Sequence, residues 1–308
     1  MRKHKTTAIR HVFLPVISAV LCLSISSCKE NPTDGAPPDT GERFNFLLTD
    51  FEPAWSPDGH TIAYVHGDTV DGQTGIWLVD TNGTNKRLFY SGVSAYSPAW
   101  SPDGQWIAFS DQAQICKMKT NGDGLTQLTS AGRNFFPDWN NSGRWIVYDE
   151  SICGDGFTCG VWIVASDGNE RSWICGGNFP SWHPNQQSII SAIGTSPTSV
   201  WTKFVVWDID QSKSIDTLLA NIGAENKYPR YSPDGARIAF TSQPYGDKDQ
   251  IWVMNSDGTN IRQLTTRQGY SCDWSPSGDW IVYTDSDTVS GRLWLIRSDG
   301  SENHQLTF

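Results

Sequence analysis

The sequence predicts an all-β protein, a six-bladed β-propeller whose blades are four-stranded antiparallel sheets. Three observations predict it. One short unit, an aromatic residue followed by a Pro-Asp-Gly-type turn, recurs six times at spacings of 45, 39, 43, 49 and 43 residues, the period of a four-stranded blade. Between the turns stand short apolar runs rich in β-branched and aromatic residues, such as Ile107-Ala108-Phe109 and Ile251-Trp252-Val253, which favour strands. Beyond residue 28 no apolar pattern with a 3.6-residue period persists, so a helix would have no amphipathic face to bury.

The N-terminus lies outside the repeat. Arg2, Lys3, Lys5 and Arg10 precede an apolar run from Val12 to Leu23, followed by small and polar residues. That order is a secretory leader, too short and too weakly flanked for a spanning helix. Its end, Ile25-Ser26-Ser27-Cys28, resembles the bacterial lipobox. Residues 1–27 are therefore expected to be a lipoprotein signal peptide and Cys28 the acylated residue, palmitate included. Lys29 in place of Asp favours the outer membrane by the common sorting rule. Residues 28–43, Pro-, Gly- and charge-rich, read as the lipidated Cys and a flexible tether. Losing the leader removes four basic and no acidic side chains and takes the formal charge from −10 to −14. So acidic a chain has no basic surface to displace counterions from phosphates, and no nucleic-acid partner is expected.

Residues 44–308 hold the blades. The units open Pro53-Ala54-Trp55-Ser56-Pro57-Asp58-Gly59, Pro98-Ala99-Trp100-Ser101-Pro102-Asp103-Gly104 and Pro137-Asp138-Trp139-Asn140-Asn141-Ser142-Gly143. They continue Pro180-Ser181-Trp182-His183-Pro184-Asn185, Pro229-Arg230-Tyr231-Ser232-Pro233-Asp234-Gly235 and Cys272-Asp273-Trp274-Ser275-Pro276-Ser277-Gly278. Strand A is expected to end at the aromatic. Pro then pre-sets φ for a hairpin turn and Gly takes its left-handed position. Strand B follows as an apolar run, Trp106-Ile107-Ala108-Phe109 for example, and strand C after a loop, as in Ile76-Trp77-Leu78-Val79. Asn-Gly or Asp-Gly turns (Asn82-Gly83, Asp167-Gly168, Asp257-Gly258, Asp299-Gly300) lead to strand D, ending Gln127-Leu128-Thr129, Gln263-Leu264-Thr265 and Gln305-Leu306-Thr307. Consecutive apolar positions in B and C call for burial on both sheet faces, which blades packed around a ring provide. Ten of the 15 Trp fall at strand-A and strand-C positions and read as core. Residues 44–49 resemble a strand-D end and are expected to add to blade six.

The Trp-Ser-Pro-Asp-Gly…Ile-Trp…Asp-Gly…Leu-Thr unit resembles the propeller repeat of the TolB family, found also in tricorn-like proteases and in the propellers of prolyl-peptidase relatives. The resemblance covers residues 44–308. It implies the propeller fold, and it implies an interaction role at the envelope. TolB itself carries an N-terminal α/β domain before its propeller, where this sequence shows only the tether.

Catalytic chemistry finds little support in the sequence. A prolyl-peptidase relative needs a Gly-x-Ser-x-Gly elbow on a separate domain, and no such pentapeptide occurs. After leader removal His60, His66, His183 and His304 remain, scattered over turns, a loop and an outer strand, so no metal site is expected. Acidic loops around Asp68–Asp71 and Asp285–Asp287 read as turn chemistry before Ca²⁺ ligands. No cofactor and no enzymatic activity are expected. Cys153 and Cys159 bracket a short loop and are expected to form a disulfide in an oxidising periplasm. Cys116 replaces a strand-C Trp and is expected to be a buried free thiol.

The expected function is an envelope-anchored, non-catalytic binding or scaffolding propeller at the outer membrane, with an envelope protein or small ligand as partner and the lipid anchor in the membrane. The alternatives are a carbohydrate- or peptide-binding uptake receptor, or a divergent propeller hydrolase or lyase. Short A–B and C–D turns occupy one face of the disc, and the longer B–C and D–A loops occupy the other. Binding groups concentrate on variable loops. The expected partner site is therefore the second face, with Tyr96, Phe135, Phe136, Trp201, Tyr228, Tyr245 and Tyr270 as its aromatic residues.

Overall fold

The computed structural model describes residues 49–68, 72–150, 160–195, 200–218, 225–244, 248–285 and 291–308, with Trp201 described in its backbone only. The leader, Cys28 and the tether, Cys153, Cys159 and Tyr245 lie outside the described residues.

Six four-stranded antiparallel sheets follow one another along the chain, and no helix occurs among the described residues. Blade one is β1 (Thr49–Trp55), β2 (Thr61–Gly67), β3 (Gly75–Asp80) and β4 (Arg87–Ser91). Blade two is β5 (Ala95–Trp100), β6 (Trp106–Asp111), β7 (Gln114–Lys119) and β8 (Thr126–Gln127). Blade three is β9 (Asn134–Trp139), β10 (Trp145–Glu150), β11 (Gly160–Ala165) and β12 (Arg171–Cys175). Blade four is β13 (Asn178–Trp182), β14 (Ser188–Thr195), β15 (Val200–Asp208) and β16 (Lys213–Leu218). Blade five is β17 (Glu225–Tyr231), β18 (Arg237–Gln243), β19 (Gln250–Asn255) and β20 (Arg262–Gln263). Blade six is β21 (Gly269–Trp274), β22 (Trp280–Asp285), β23 (Arg292–Arg297) and β24 (Asn303–Gln305). All six A strands end at the aromatic residue the repeat marks.

The A–B turns explain the Ser-Pro-Asp-Gly motif atom by atom. In blade one the Ser56 hydroxyl donates to Asp58 at 2.6 Å and accepts the Thr61 amide at 2.9 Å, while Asp58 also accepts the His60 amide. Gly59 sits at φ +78°, where a Cβ is strained. Ser101–Asp103 and Ser232–Asp234 repeat the arrangement. The Ser hydroxyls hold Asp58, Asp103 and Asp234 below the usual carboxyl range. Each turn glycine also faces the preceding blade's turn: Gly104 meets Pro57, Gly143 meets Pro102, Gly235 meets His183 and Pro184, and Gly59 meets Pro276 across the seam of blades six and one.

Strand D is shorter than the Gln-Leu-Thr motif suggests. Pairing stops at Gln127, Gln263 and Gln305. Beyond it Leu128, Leu264 and Leu306 turn into the core, and the buried hydroxyls of Thr129, Thr265 and Thr307 accept the amides of Ile115, Ile251 and Leu293. The motif ends the strand by replacing a ladder bond with a side-chain one. The strand-C tryptophans Trp77, Trp162, Trp207, Trp252 and Trp294 are half-buried rather than fully core, because they pack on the apolar clusters from the outer part of each blade. Cys116 is a buried free thiol, and burial pushes it up to about 11.

The A strands form the innermost ring: β1, β5, β9, β13, β17 and β21 each pack on the next, and β21 returns to β1. Of the segment expected to extend blade six, Thr49 is described. It pairs with Gly67 in blade one, while blade six completes its four strands from residues 269–305. The local Asp-Gly turn at Asp299-Gly300 supplies that fourth strand at low loop-closure entropy.

Candidate functional site

Every A strand carries a β-bulge three residues before its terminal aromatic. Glu52, Ser97, Phe136, Phe179, Tyr228 and Ser271 all take φ between +46° and +54°, and the strand register shifts at each. Left-handed backbone at non-glycine residues costs about 1–2 kcal/mol each, so six repetitions mark a built feature. Five of the six precede a proline, which cannot donate to a ladder and is tolerated at a bulge.

These six side chains form a layer across the channel. Phe136, Phe179 and Tyr228 come from blades three, four and five and touch mutually, with centroids 5.0 Å (Phe136–Phe179), 4.3 Å (Phe179–Tyr228) and 5.4 Å (Phe136–Tyr228) apart. The Phe136–Tyr228 contact bypasses blade four, so the rings close the channel there. Tyr270 packs on Tyr228 at 4.9 Å, and their hydroxyls are hydrogen-bonded. On the other side Glu52 accepts the Ser97 amide at 2.7 Å and its hydroxyl at 3.0 Å. Burial raises the Glu52 carboxyl to about 7, against the opposing pull of the Ser97 bonds and Arg230.

Toward the short-turn face lies a second layer, the residue before each aromatic: Ala54, Ala99, Asp138, Ser181, Arg230 and Asp273. At three blade junctions the Trp indole donates to the preceding blade's carbonyl at this position: Trp100 to Ala54, Trp139 to Ala99 and Trp274 to Arg230, at 3.1–3.2 Å. Where that residue is Asp the latch changes. Asp138 accepts the Trp182 amide at 2.8 Å and Asp273 accepts the Trp55 amide at 2.7 Å, while the buried Trp182 and Trp55 indole nitrogens have no partner among the described residues. Arg230 donates to the Pro180 carbonyl at 3.0 Å. Burial lifts Asp273 to about 6, with the Trp55 amide and Arg230 opposing and Asp138 adding to the rise. Burial likewise raises Asp138, against Arg230 and the bonds from Trp182 and Ser181.

A cavity of about 200 Å³ opens here, lined by Asp138, Asp273, Arg230, Ser181, Tyr231 and Trp182 with a rim of Pro102, Pro184 and Asn141. Chemically it offers two enclosed carboxylates, one guanidinium and aromatic walls. Among the described residues no group of three or more His, Cys, Asp or Glu is placed to hold a metal ion.

The sequence-expected residues fall elsewhere. Tyr96, Phe135, Phe136, Tyr228 and Tyr270 belong to β5, β9, β17 and β21 rather than to loops, because the bulge carries each A strand past them. Phe135, Phe136 and Tyr228 keep about 5% of their surface: Phe136 and Tyr228 pack in the channel layer and Phe135 in the apolar cluster beside it, instead of standing on a face. Tyr96 is half-buried against Phe51. Trp201 lies in β15, paired with Gly194, since β14 and β15 extend blade four where a loop was expected. Sequence reasoning missed Asp138, Arg230 and Asp273, although a signal existed: charged residues at a repeat position that blades one and two fill with Ala.

Six closed, sequential four-stranded blades around a channel define the chain as a β-propeller. More narrowly, it belongs to the TolB beta-propeller domain family, whose model matches residues 44–200. The uncharacterized protein Atu1656 of Agrobacterium fabrum is 32% identical over 109 residues, 32% of this chain and 36% of that protein. The uncharacterized peptidase YuxL of Bacillus subtilis is 43% identical over 58 residues, 18% of this chain and 9% of that one. The chain thus matches about a third or less of either relative's length. Among solved structures, a provisional TolB of Agrobacterium tumefaciens superposes with a TM-score of 0.63 at 21% identity, over 74% of this chain and 86% of that one. An oligogalacturonate lyase in complex with manganese gives a TM-score of 0.58 at 13% identity over 84% and 77%. Both likenesses are of fold.

Proposed function

We propose that this chain is a non-catalytic interaction propeller of the bacterial envelope, tethered to the outer membrane by lipid on Cys28, and that it receives its partner at the short-turn mouth. The family supports an interaction role. The observation that carries the reading is the cavity at the short-turn mouth, where Asp138, Asp273 and Arg230 stand within a rim of Pro102, Pro184 and Asn141, a shape that receives a protruding group. Asp138 and Asp273 already hold the backbone of the next blade, which accounts for their position without catalysis. Labelled palmitate should be retained by the wild type and lost in Cys28→Ala. A photo-crosslinking residue at Asn141 should capture one envelope protein that the same residue at Arg133, near the wide-loop side, does not. Equal capture from both positions, or none, overturns the reading.

The convergence of Asp138 and Asp273, both raised by burial, favours one second reading, acid–base chemistry by a propeller hydrolase or lyase. Turnover of oligogalacturonate or peptide substrates that disappears in Asp273→Asn would establish it in place of the first.

A further inference from the structure

We infer that the short-turn cavity is a receptor site for a single ammonium or guanidinium group on an aliphatic stem, held between Asp138 and Asp273. The inference rests on the interaction reading and names the chemistry of that same site.

The two carboxylates come from blades three and six, three apart in a ring of six, and therefore face each other across the axis. Among the described residues neither is ion-paired: each gives an oxygen to a backbone amide, Trp182 for Asp138 and Trp55 for Asp273. The one cation in this layer, Arg230, is tied to the Pro180 carbonyl. It lowers both acids only through space. Two carboxylates against one guanidinium leave the layer one negative charge in excess, and Glu52 stands one layer deeper on blade one. Enclosed like charges that one guanidinium answers only in part are costly, and a second positive charge entering the cavity they line is correspondingly favoured.

Size and walls narrow the occupant further. About 200 Å³ takes one long basic side chain or a small alkylamine and excludes a folded element. Trp100, Trp182 and Tyr231 with Pro102 and Pro184 line the approach, offering methylene stems an apolar wall and the cationic head aromatic faces. The Trp182 ring, buried to 5% exposure, contributes its face to that wall. A neutral sugar would match the aromatic walls and leave the charge excess unanswered. The shared chemistry has two sources, a Lys or Arg side chain of a partner protein and a free amine.

Calorimetry on the full mature chain at pH 8 tests this with n-butylammonium, butylguanidinium and the capped peptide Gly-Lys-Gly, against n-butanol and Gly-norleucine-Gly as uncharged counterparts. The charged probes should bind and the uncharged ones should not. A preference for the peptide over the free amines assigns a protein source, and the reverse assigns a small amine. Asp138→Asn and Asp273→Asn keep an oxygen for the Trp182 and Trp55 amides while removing charge. Each should weaken the charged probes at least tenfold, with unfolding curves showing the fold intact. Absence of binding at 10 mM, equal binding by the double Asn variant, or binding of Ca²⁺ without the organic cations overturns the inference. If Asn141 crosslinks persist while these probes fail, the interaction reading stands and this one falls. If the probes bind while no partner is captured, the converse holds.

Discussion

Replacing Asp273 by Asn should make the protein more stable at neutral pH, and the gain should vanish in acid. In the fold, burial holds this carboxyl at about 6, against an ordinary 3.8. A group whose folded value is raised binds its proton more tightly in the native state, so its contribution is complete below pH 3.8. It is lost as pH rises to about 6 and stays lost above that. At about 1.4 kcal/mol for each tenfold change in proton affinity, the difference between 3.8 and 6 corresponds to about 3 kcal/mol of stability surrendered between pH 4 and 7. Asn is nearly isosteric and still accepts the Trp55 amide, so it sheds the charge penalty and keeps the latch. Urea denaturation at pH 4 and pH 8 reads the effect: near-equality with wild type at pH 4, and a gain of about 2–3 kcal/mol at pH 8. Asp138, Arg230 and Glu52 share the channel, and Glu52→Gln should shift stability likewise across pH 4.5 to 7. An Asp273→Asn variant less stable than wild type at pH 8, or one displaced equally at both pH values, refutes the reasoning.

The indole latches make a matched pair: Trp139→Phe loses a bond to the Ala99 carbonyl that Trp182→Phe never had, so it should cost about 1 kcal/mol more in denaturant titration. Thr307→Val should leave the Leu293 amide without its acceptor inside the core and lower stability by about 1–3 kcal/mol in the same assay. Gly75→Ala puts a Cβ 2.0 Å from the Tyr90 carbonyl oxygen, whereas at Gly122 (φ +91°) a Cβ meets open space. The first should yield no soluble folded protein on gel filtration, and the second should fold with a loss of about 1–2 kcal/mol.

The blades were legible because their signals are local. An aromatic that ends strand A and a Pro-Asp-Gly turn that reverses it act within seven residues, and six copies fix the period. The channel was illegible for the opposite reason. The bulge at Glu52, Ser97, Phe136, Phe179, Tyr228 and Ser271 uses residue types with no shared left-handed preference, so its conformation is imposed by neighbouring blades. That is why aromatics assigned to loops belong to strands. The acids of the cavity were visible as polar intrusions at an alanine position, Ala54 and Ala99 against Asp138 and Asp273. Their opposition across the axis depends on ring closure, which no local pattern encodes.

The seam has a kinetic consequence. Each blade assembles from a contiguous stretch whose hairpins close over a few residues, whereas the bond from the Trp55 amide to Asp273 joins positions 218 apart. Loop-closure entropy makes such a contact slow to reward, so the ring is a series of quickly formed local sheets awaiting one distant junction. Contacts formed after the barrier govern how long a native molecule lasts rather than how quickly it arises. A junction of blades six and one that closes after that barrier would set the lifetime of the closed disc, and the Asp273 oxygen that accepts the Trp55 amide belongs to that junction.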